Sequence, residues 1–248
     1  MPFTFSHPAI VLPLTYLPRR WFSLTGLVIG SLTPDFEYFI RMKVQSNYSH
    51  TLSGLFWFDI PLGLLLAFIF HNFVRESLID NLPTILKSRL SSFSKFNWNK
   101  HFKKNWAVII ISALIGAISH LFWDSFTHVH GYFVEIIPML TNKIDILGMQ
   151  IPVFKILQHS STLLGGIIIS VALLKLPINK NITGGFSFKY WSIVVGLTLA
   201  IIFIRFSTGL DYKAYGQLIV TGISAVLISL VFTPWLVRQI NGENNNLV

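Results

Sequence analysis

The residues best suited to chemistry in this sequence lie in the run His120-Leu-Phe-Trp-Asp124-Ser-Phe-Thr-His128. A His, an Asp and a second His follow one another at intervals of four. On a helix, residues four apart share a face, with Cβ atoms about 6 Å apart. One metal ion can therefore take His120 and Asp124 together. The second carboxylate oxygen of Asp124 can bridge to a further ion toward His128, at the spacing of about 3.5–4 Å used by hydrolytic two-metal sites. His128 cannot reach the ion of His120 unaided, because two helical turns span about 11 Å. A single intramembrane His or Asp more often makes a hydrogen bond between helices. Three in register on one face point instead to a metal site.

Two further blocks carry candidates. In Thr33-Pro34-Asp35-Phe36-Glu37, Pro34 loosens a helix just before Asp35 and can open that carboxylate to a cavity. Glu37, two positions on, faces elsewhere and reads as a packing carboxylate as readily as a ligand. An ion pair with Arg41 is the alternative role for Asp35. His50 follows a polar turn, in Tyr48-Ser49-His50-Thr51. His7, after Ser6 as a candidate N-cap, and His159, at the start of a later apolar run, each read singly as interfacial hydrogen-bonding histidines. His71 falls about 30 Å of helix from His50 and belongs to the opposite side. His101 sits in a basic loop and is expected to be solvated. His130 lies off the face of His120 and Asp124, but can replace His128 if the helix ends early.

Cysteine is absent, which excludes thiolate ligands and thiol catalysis. A His/Asp/Glu ligand set favours zinc, manganese, iron or magnesium. No Gly-rich phosphate loop and no Gly-x-Ser-x-Gly elbow is present. Metal-assisted attack by water is the chemistry that remains.

The elements that must position these groups are set by the solvent. Of 248 residues, 52% are hydrophobic and only 12% charged, roughly half the charge of a soluble domain. The missing charge argues for lipid. Six apolar runs approach the roughly 20 residues that cross a bilayer: 21–40, 55–73, 106–126, 156–176, 190–206 and 218–237. They are too long for barrel strands and are read as helices. His7 to Leu17 covers about half a membrane and reads as a short re-entrant or interfacial helix. The fold class is therefore all-α, a polytopic bundle forming one membrane-embedded domain over 1–240. Residues 1–170 make up its metal-site core, 171–240 add helices, and 241–248 form a disordered tail. The N-terminus lacks a basic region before its apolar stretch and is not read as a removable signal.

Lys and Arg set the orientation. The loop 74–105 holds seven of them, and the assignment that makes it cytoplasmic places thirteen inside and six outside. Asp35, His50, Asp124, His128 and His159 then gather near the outer face of a bacterial inner membrane. The apolar connection 131–158 is expected in the interface, and 81–99, rich in Ser and Lys, is expected to be a mobile loop. A net charge of +9 fits contact with anionic headgroups. Nucleic acid is excluded as a partner, because the basic residues flank apolar runs rather than interleave with stacking aromatics.

The blocks MPFTFSHPAIVLPL, GSLTPDFEYF, SHTLSGLFWF, SHLFWDSFTHVHGY and KILQHSSTLLG resemble the DUF4184 family of bacterial membrane proteins over most of residues 1–170. The sequence is more distantly similar to the membrane-bound metal-dependent hydrolases of the DUF457 family. Through them it resembles zinc-dependent phospholipase C and the S1/P1-type nucleases. The order Asp35, His50, His120, Asp124, His128, His159 follows the ligand order of that soluble group. The likeness implies divalent metal, zinc above all, and phosphoester hydrolysis. Two positions depart from it: Leu163 stands four residues after His159 where the soluble enzymes have Glu, and their N-terminal amine is a ligand in the mature chain. One or two ions are expected.

Together these readings describe a membrane-embedded hydrolase acting on a phospholipid or lipid-linked phosphate. Asp35, His50, His120 and Asp124 hold a first metal. His128 and His159 hold a second, bridged by Asp124, with His7 contributing. Asp35 and Asp124 are the residues on which catalysis rests. The alternatives are a metal-handling or ion-transporting protein, which needs a polar route including inner groups such as His71, and a non-enzymatic scaffold.

Overall fold

The computed structural model describes residues 3–18, 20–182, 184–209 and 214–245. Arg19 and Lys213, counted in the charge balance, and tail residues 246–248 lie outside the described residues. The helices are α1 (Pro8–Val11), α2 (Leu24–Leu32), α3 (Phe36–Arg41), α4 (Leu52–Asp80), α5 (Thr84–Ser94), α6 (Trp98–Asp124), α7 (Tyr132–Ile136) and α8 (Pro138–Thr141). A hairpin of β1 (Lys143–Ile146) and β2 (Met149–Pro152) follows, then α9 (Val153–Leu174), α10 (Phe188–Ser207) and α11 (Tyr215–Asn245).

Five of these helices, α4, α6, α9, α10 and α11, are long and apolar enough to cross a bilayer. The chain is a mostly helical, multi-pass membrane protein. The first apolar run is not a sixth long span. Its helix breaks at the tight turn Thr33–Asp35, where Pro34 cannot donate to the helical ladder, and resumes as α3. Thr51 starts α4 by accepting the Gly54 amide at 2.9 Å on its hydroxyl. Shortly after, the helix widens into a π turn at Leu55–Asp59, just before Pro61, whose ring crowds the preceding turn. The N-terminal segment is short and helical as expected, with tight turns at Thr4–Ser6 and Leu12–Tyr16 flanking α1. Ser6 does not cap it; its hydroxyl donates to the Thr162 carbonyl at 3.0 Å.

One sequence expectation is corrected. The segment 81–99 is not a loop throughout, because Thr84–Ser94 forms α5 with Ser88 and Ser94 buried. Its serines and lysines satisfied the polarity of a loop but equally fit a short helix lying along a surface. The connection 131–158 carries a hairpin, in which β1 and β2 pair antiparallel with Lys143 opposite Pro152 and Ile146 opposite Met149. The helix α11 also runs on to Asn245, into the polar tail.

The chain divides into two compact units. The first comprises Met1–Asp35, Tyr48–Leu65 and Phe102–Lys175. Within it α2 packs against α6 at backbone distance. A Cβ on Gly30 would overlap the Ala113 carbonyl, and one on Gly116 would overlap the Leu27 carbonyl. Small residues spaced by four on both helices permit that approach, as in other membrane helix pairs. The N-terminal segment lies on α9, where Thr162 accepts the Phe3 amide at 3.0 Å and Gly165 leaves room for Ser6.

The second unit comprises Phe36–Asn47, Leu66–His101 and Leu176–Val248. In it α10 and α11 pair, with Thr198 donating to Ser229 at 3.1 Å, and Ser224 on α11 donates to the Phe39 carbonyl of α3 at 2.8 Å. Glu37 is buried here, receiving Arg41 at 2.7 and 2.8 Å and the Asn47 amide at 2.9 Å. It closes the turn after α3. His71 accepts from Arg75 at 2.8 Å and stacks on Trp98 at 4.3 Å, while His101 packs on Phe96 at 4.9 Å rather than standing in water.

Candidate metal centre

The close approach of α2 and α6 decides where His120 points. Ser31 follows Gly30, and its carbonyl accepts the His120 Nδ1 hydrogen at 2.7 Å. That bond fixes the tautomer and leaves the Nε2 lone pair free, as in histidines that bind metals. One helical turn later Asp124 presents its carboxylate on the same side, with Oδ2 3.2 Å from His120 Nε2. Asp35 arrives from the Pro34 turn, its Oδ1 3.6 Å from His120 Nε2. His50 arrives from the turn before α4, its Nε2 3.3 Å from Asp35 Oδ1 and 3.7 Å from Asp124 Oδ2.

These four short edges close a ring in which imidazole and carboxylate alternate. All four ligand atoms lie within 4.8 Å of one another. Four ligands about 2.0–2.2 Å from a tetrahedral ion stand roughly 3.3–3.6 Å apart, so the ring has the size of a metal cradle. Asp35 Oδ1, His120 Nε2 and Asp124 Oδ2 are buried and have no hydrogen-bond partner among the described residues. The other atom of each ligand is already held. Thr4 donates to Asp35 Oδ2 at 2.5 Å, His7 Nε2 contacts Asp124 Oδ1 at 3.1 Å, and Ser49 Oγ lies 3.0 Å from His50 Nδ1.

Charge gives an independent argument. Asp35 and Asp124 are both buried, and no Lys or Arg forms an ion pair with either among the described residues. Two anions removed from water cost several kcal/mol each unless a cation or protons compensate. A divalent ion held by these residues would balance both. His50 also holds a left-handed backbone at φ 60°, a strained conformation of the kind that collects at functional sites. Burial pushes the imidazole of His50 toward a lower pKa, but the Asp124 and Asp35 carboxylates facing it outweigh that and hold it above 6.5.

The remaining sequence candidates divide. His7 is buried, stacks on His120 with ring centroids 3.8 Å apart, and donates from Nδ1 to the Thr4 carbonyl at 3.2 Å. His128 stays beside Asp124 although α6 ends there. Its Nδ1 donates to the Asp124 carbonyl at 2.9 Å, and its Nε2 is buried without a hydrogen-bond partner among the described residues. Burial is the main influence that lowers its pKa. His130 does not replace it, being exposed 3.9 Å from Glu135. His159 is exposed on α9, where its neighbour Gln158 is the buried residue, and it is not one of the four converging ligands. Asp35 does not pair with Arg41, which goes to Glu37. Thr4 and the Ser31 carbonyl are the positioning groups the sequence reading missed. The position of Thr4, one turn before His7, was the available signal.

The family described as a domain of unknown function, DUF4184, matches residues 1–235. The chain belongs to the DUF4184 family. No curated protein and no solved structure matches it. In this DUF4184 chain Asp35, His50, His120 and Asp124 form a buried group that could hold a metal ion.

Proposed function

We propose that this chain is a membrane-embedded, metal-dependent hydrolase of phosphoesters. The reading rests on the convergence of Asp35, His50, His120 and Asp124 on one buried point. Two imidazoles and two carboxylates at this spacing favour zinc. A bound divalent ion supplies Lewis-acid polarisation of a phosphoryl oxygen and a water that ionises near neutral pH. The two carboxylates supply the charge that holds it, and Thr4, His7 and the Ser31 carbonyl aim the ligands. His50 and His128 are the partly exposed members and mark the side from which substrate arrives. With Nδ1 donating to a carbonyl, His128 Nε2 is free to accept a proton from the attacking water. The charge bias of the loops supports an outward-facing site in a bacterial inner membrane.

A lipid-linked substrate is supported by an apolar groove of about 280 Å³ lined by Ala9, Ile10, Phe122, Trp123, Phe126 and Ile168. It adjoins the centre, since Trp123 meets the His7 ring edge-on at 5.8 Å. The ligand order shared with the hydrolase families that the sequence resembles points the same way. A structural ion is the second reading, and a cradle of four protein ligands favours it, because catalytic zinc usually keeps a position open.

Zinc-loaded protein in nanodiscs, assayed with bis(p-nitrophenyl) phosphate and a fluorogenic phospholipid, separates the two. Hydrolysis that chelator abolishes, zinc restores and Asp124→Asn lowers at least about 100-fold supports the enzyme. Stoichiometric zinc with no turnover of either probe supports the structural ion.

A further inference from the structure

The hairpin β1–β2 has two chemically distinct faces. Pairing Ile144 with Ile151 and Ile146 with Met149 puts four apolar side chains on one side. The alternate pairs, Lys143 with Pro152 and Asp145 with Gln150, fall on the other. On that polar side Gln150 Nε2 donates to Asp145 Oδ2 at 2.9 Å. The apolar side is not covered by the fold: Ile144, Ile146 and Met149 are 47%, 38% and 58% exposed.

The tip is less suited still to water. Leu147 and Gly148 form the two-residue turn with φ 54° and 81°, a pair of left-handed positions that ordinarily select Asn-Gly or Gly-Gly. A leucine pays backbone strain there and exposes 94% of its surface. The base of the hairpin is firm. The Val153 amide donates to the Asn142 carbonyl at 3.0 Å, and Val134, Leu140 and Phe154 form a small core beneath it.

Position along the chain identifies what covers this face. Pro152 ends β2, and Val153 begins α9, a 22-residue helix apolar enough to span the bilayer. The hairpin is thus joined without a linker to the start of a candidate membrane span, with its apolar side exposed there. Lys143 and Lys155 flank it, as cations do at membrane interfaces.

We propose that this hairpin is a bilayer anchor, with Leu147 and the Ile144–Ile146–Met149 face inserted at the boundary between headgroups and acyl chains and the Asp145–Gln150 side turned to water. The proposal does not depend on the metal centre or its activity.

The absence of cysteine allows a direct test. Leu147→Cys and Gln150→Cys are each introduced into the full chain, labelled with a nitroxide and reconstituted in liposomes containing anionic lipid. Collision rates are read against oxygen, which concentrates in the bilayer, and a nickel chelate, which stays in water. The label at 147 is expected to favour oxygen over the chelate, and the label at 150 to show the reverse. Equal, chelate-dominated exposure at both positions overturns the proposal. So does dipolar broadening at 147, which would show a second copy of the chain covering the face.

Discussion

Gly30→Ala tests whether helix packing sets the metal centre. The added Cβ would overlap the Ala113 carbonyl, which is backbone and cannot swing aside. A carbon beside a carbonyl oxygen settles at about 3.3–3.6 Å, so α2 and α6 must part by on the order of 1 Å. Ser31 is the next residue, and its carbonyl holds His120 Nδ1 at 2.7 Å. Parting by that amount lengthens the bond beyond hydrogen-bond range and frees the ring to turn or change tautomer. Loss of such a supporting bond lowers metal affinity about 10- to 100-fold, and overpacking costs a further 1–3 kcal/mol or so in stability. Gly166→Ala is the control, because nothing lies within 4 Å of its added Cβ. The assay is zinc affinity by competition with a chromogenic chelator, alongside thermal unfolding in detergent. Wild-type zinc affinity in Gly30→Ala, with an unchanged melting temperature, would refute the link between the small-residue contact and the site.

Three other outcomes follow from the same contacts. Thr4→Val keeps the shape of the side chain but removes the hydrogen bond to Asp35 Oδ2; zinc affinity should drop about 10-fold, and an unchanged value would mean that Thr4 does not position the carboxylate. In the metal-free protein His50 is held above 6.5 by Asp124 and Asp35 against the opposing effect of burial, so the stabilisation from its protonated form is complete below 6.5 and is lost as pH rises through the folded value. Zinc needs the neutral ring, so affinity should climb over that same window with proton release; calorimetric heats that do not vary between buffers of different ionisation enthalpy would contradict this.

The parts of the molecule legible from sequence were those governed by composition and by local spacing. The missing charge marked the spans, and an interval of four put His120 and Asp124 on one face. Asp35 and His50 could be added because each falls at the end of an apolar run, at a common depth. What stayed hidden depended on contacts between distant segments. The Gly30–Ala113 approach needs two helices at once, and the left-handed backbone at His50 has no glycine to mark it. His159 was drawn into the site by its depth and by the ligand order of the families that the sequence resembles. Depth does not fix the phase of a helix, and on α9 the residue turned inward is Gln158. The hairpin was missed because Ile144, Ile146, Met149 and Ile151 raise apolarity as a helix would, while the Leu-Gly turn lacks the usual hairpin residues.

Elemental analysis of detergent-purified protein, loaded with zinc and dialysed, most directly tests whether the four ligands form one centre. About one equivalent of zinc should remain with the wild type and be lost from the folded Asp35→Ala/His120→Ala variant. A second ion bridged by Asp124 would raise the wild-type value toward two, and the variant should still fall by at least one. Wild-type protein that retains no stoichiometric metal, or a variant that retains as much as wild type, would contradict the account.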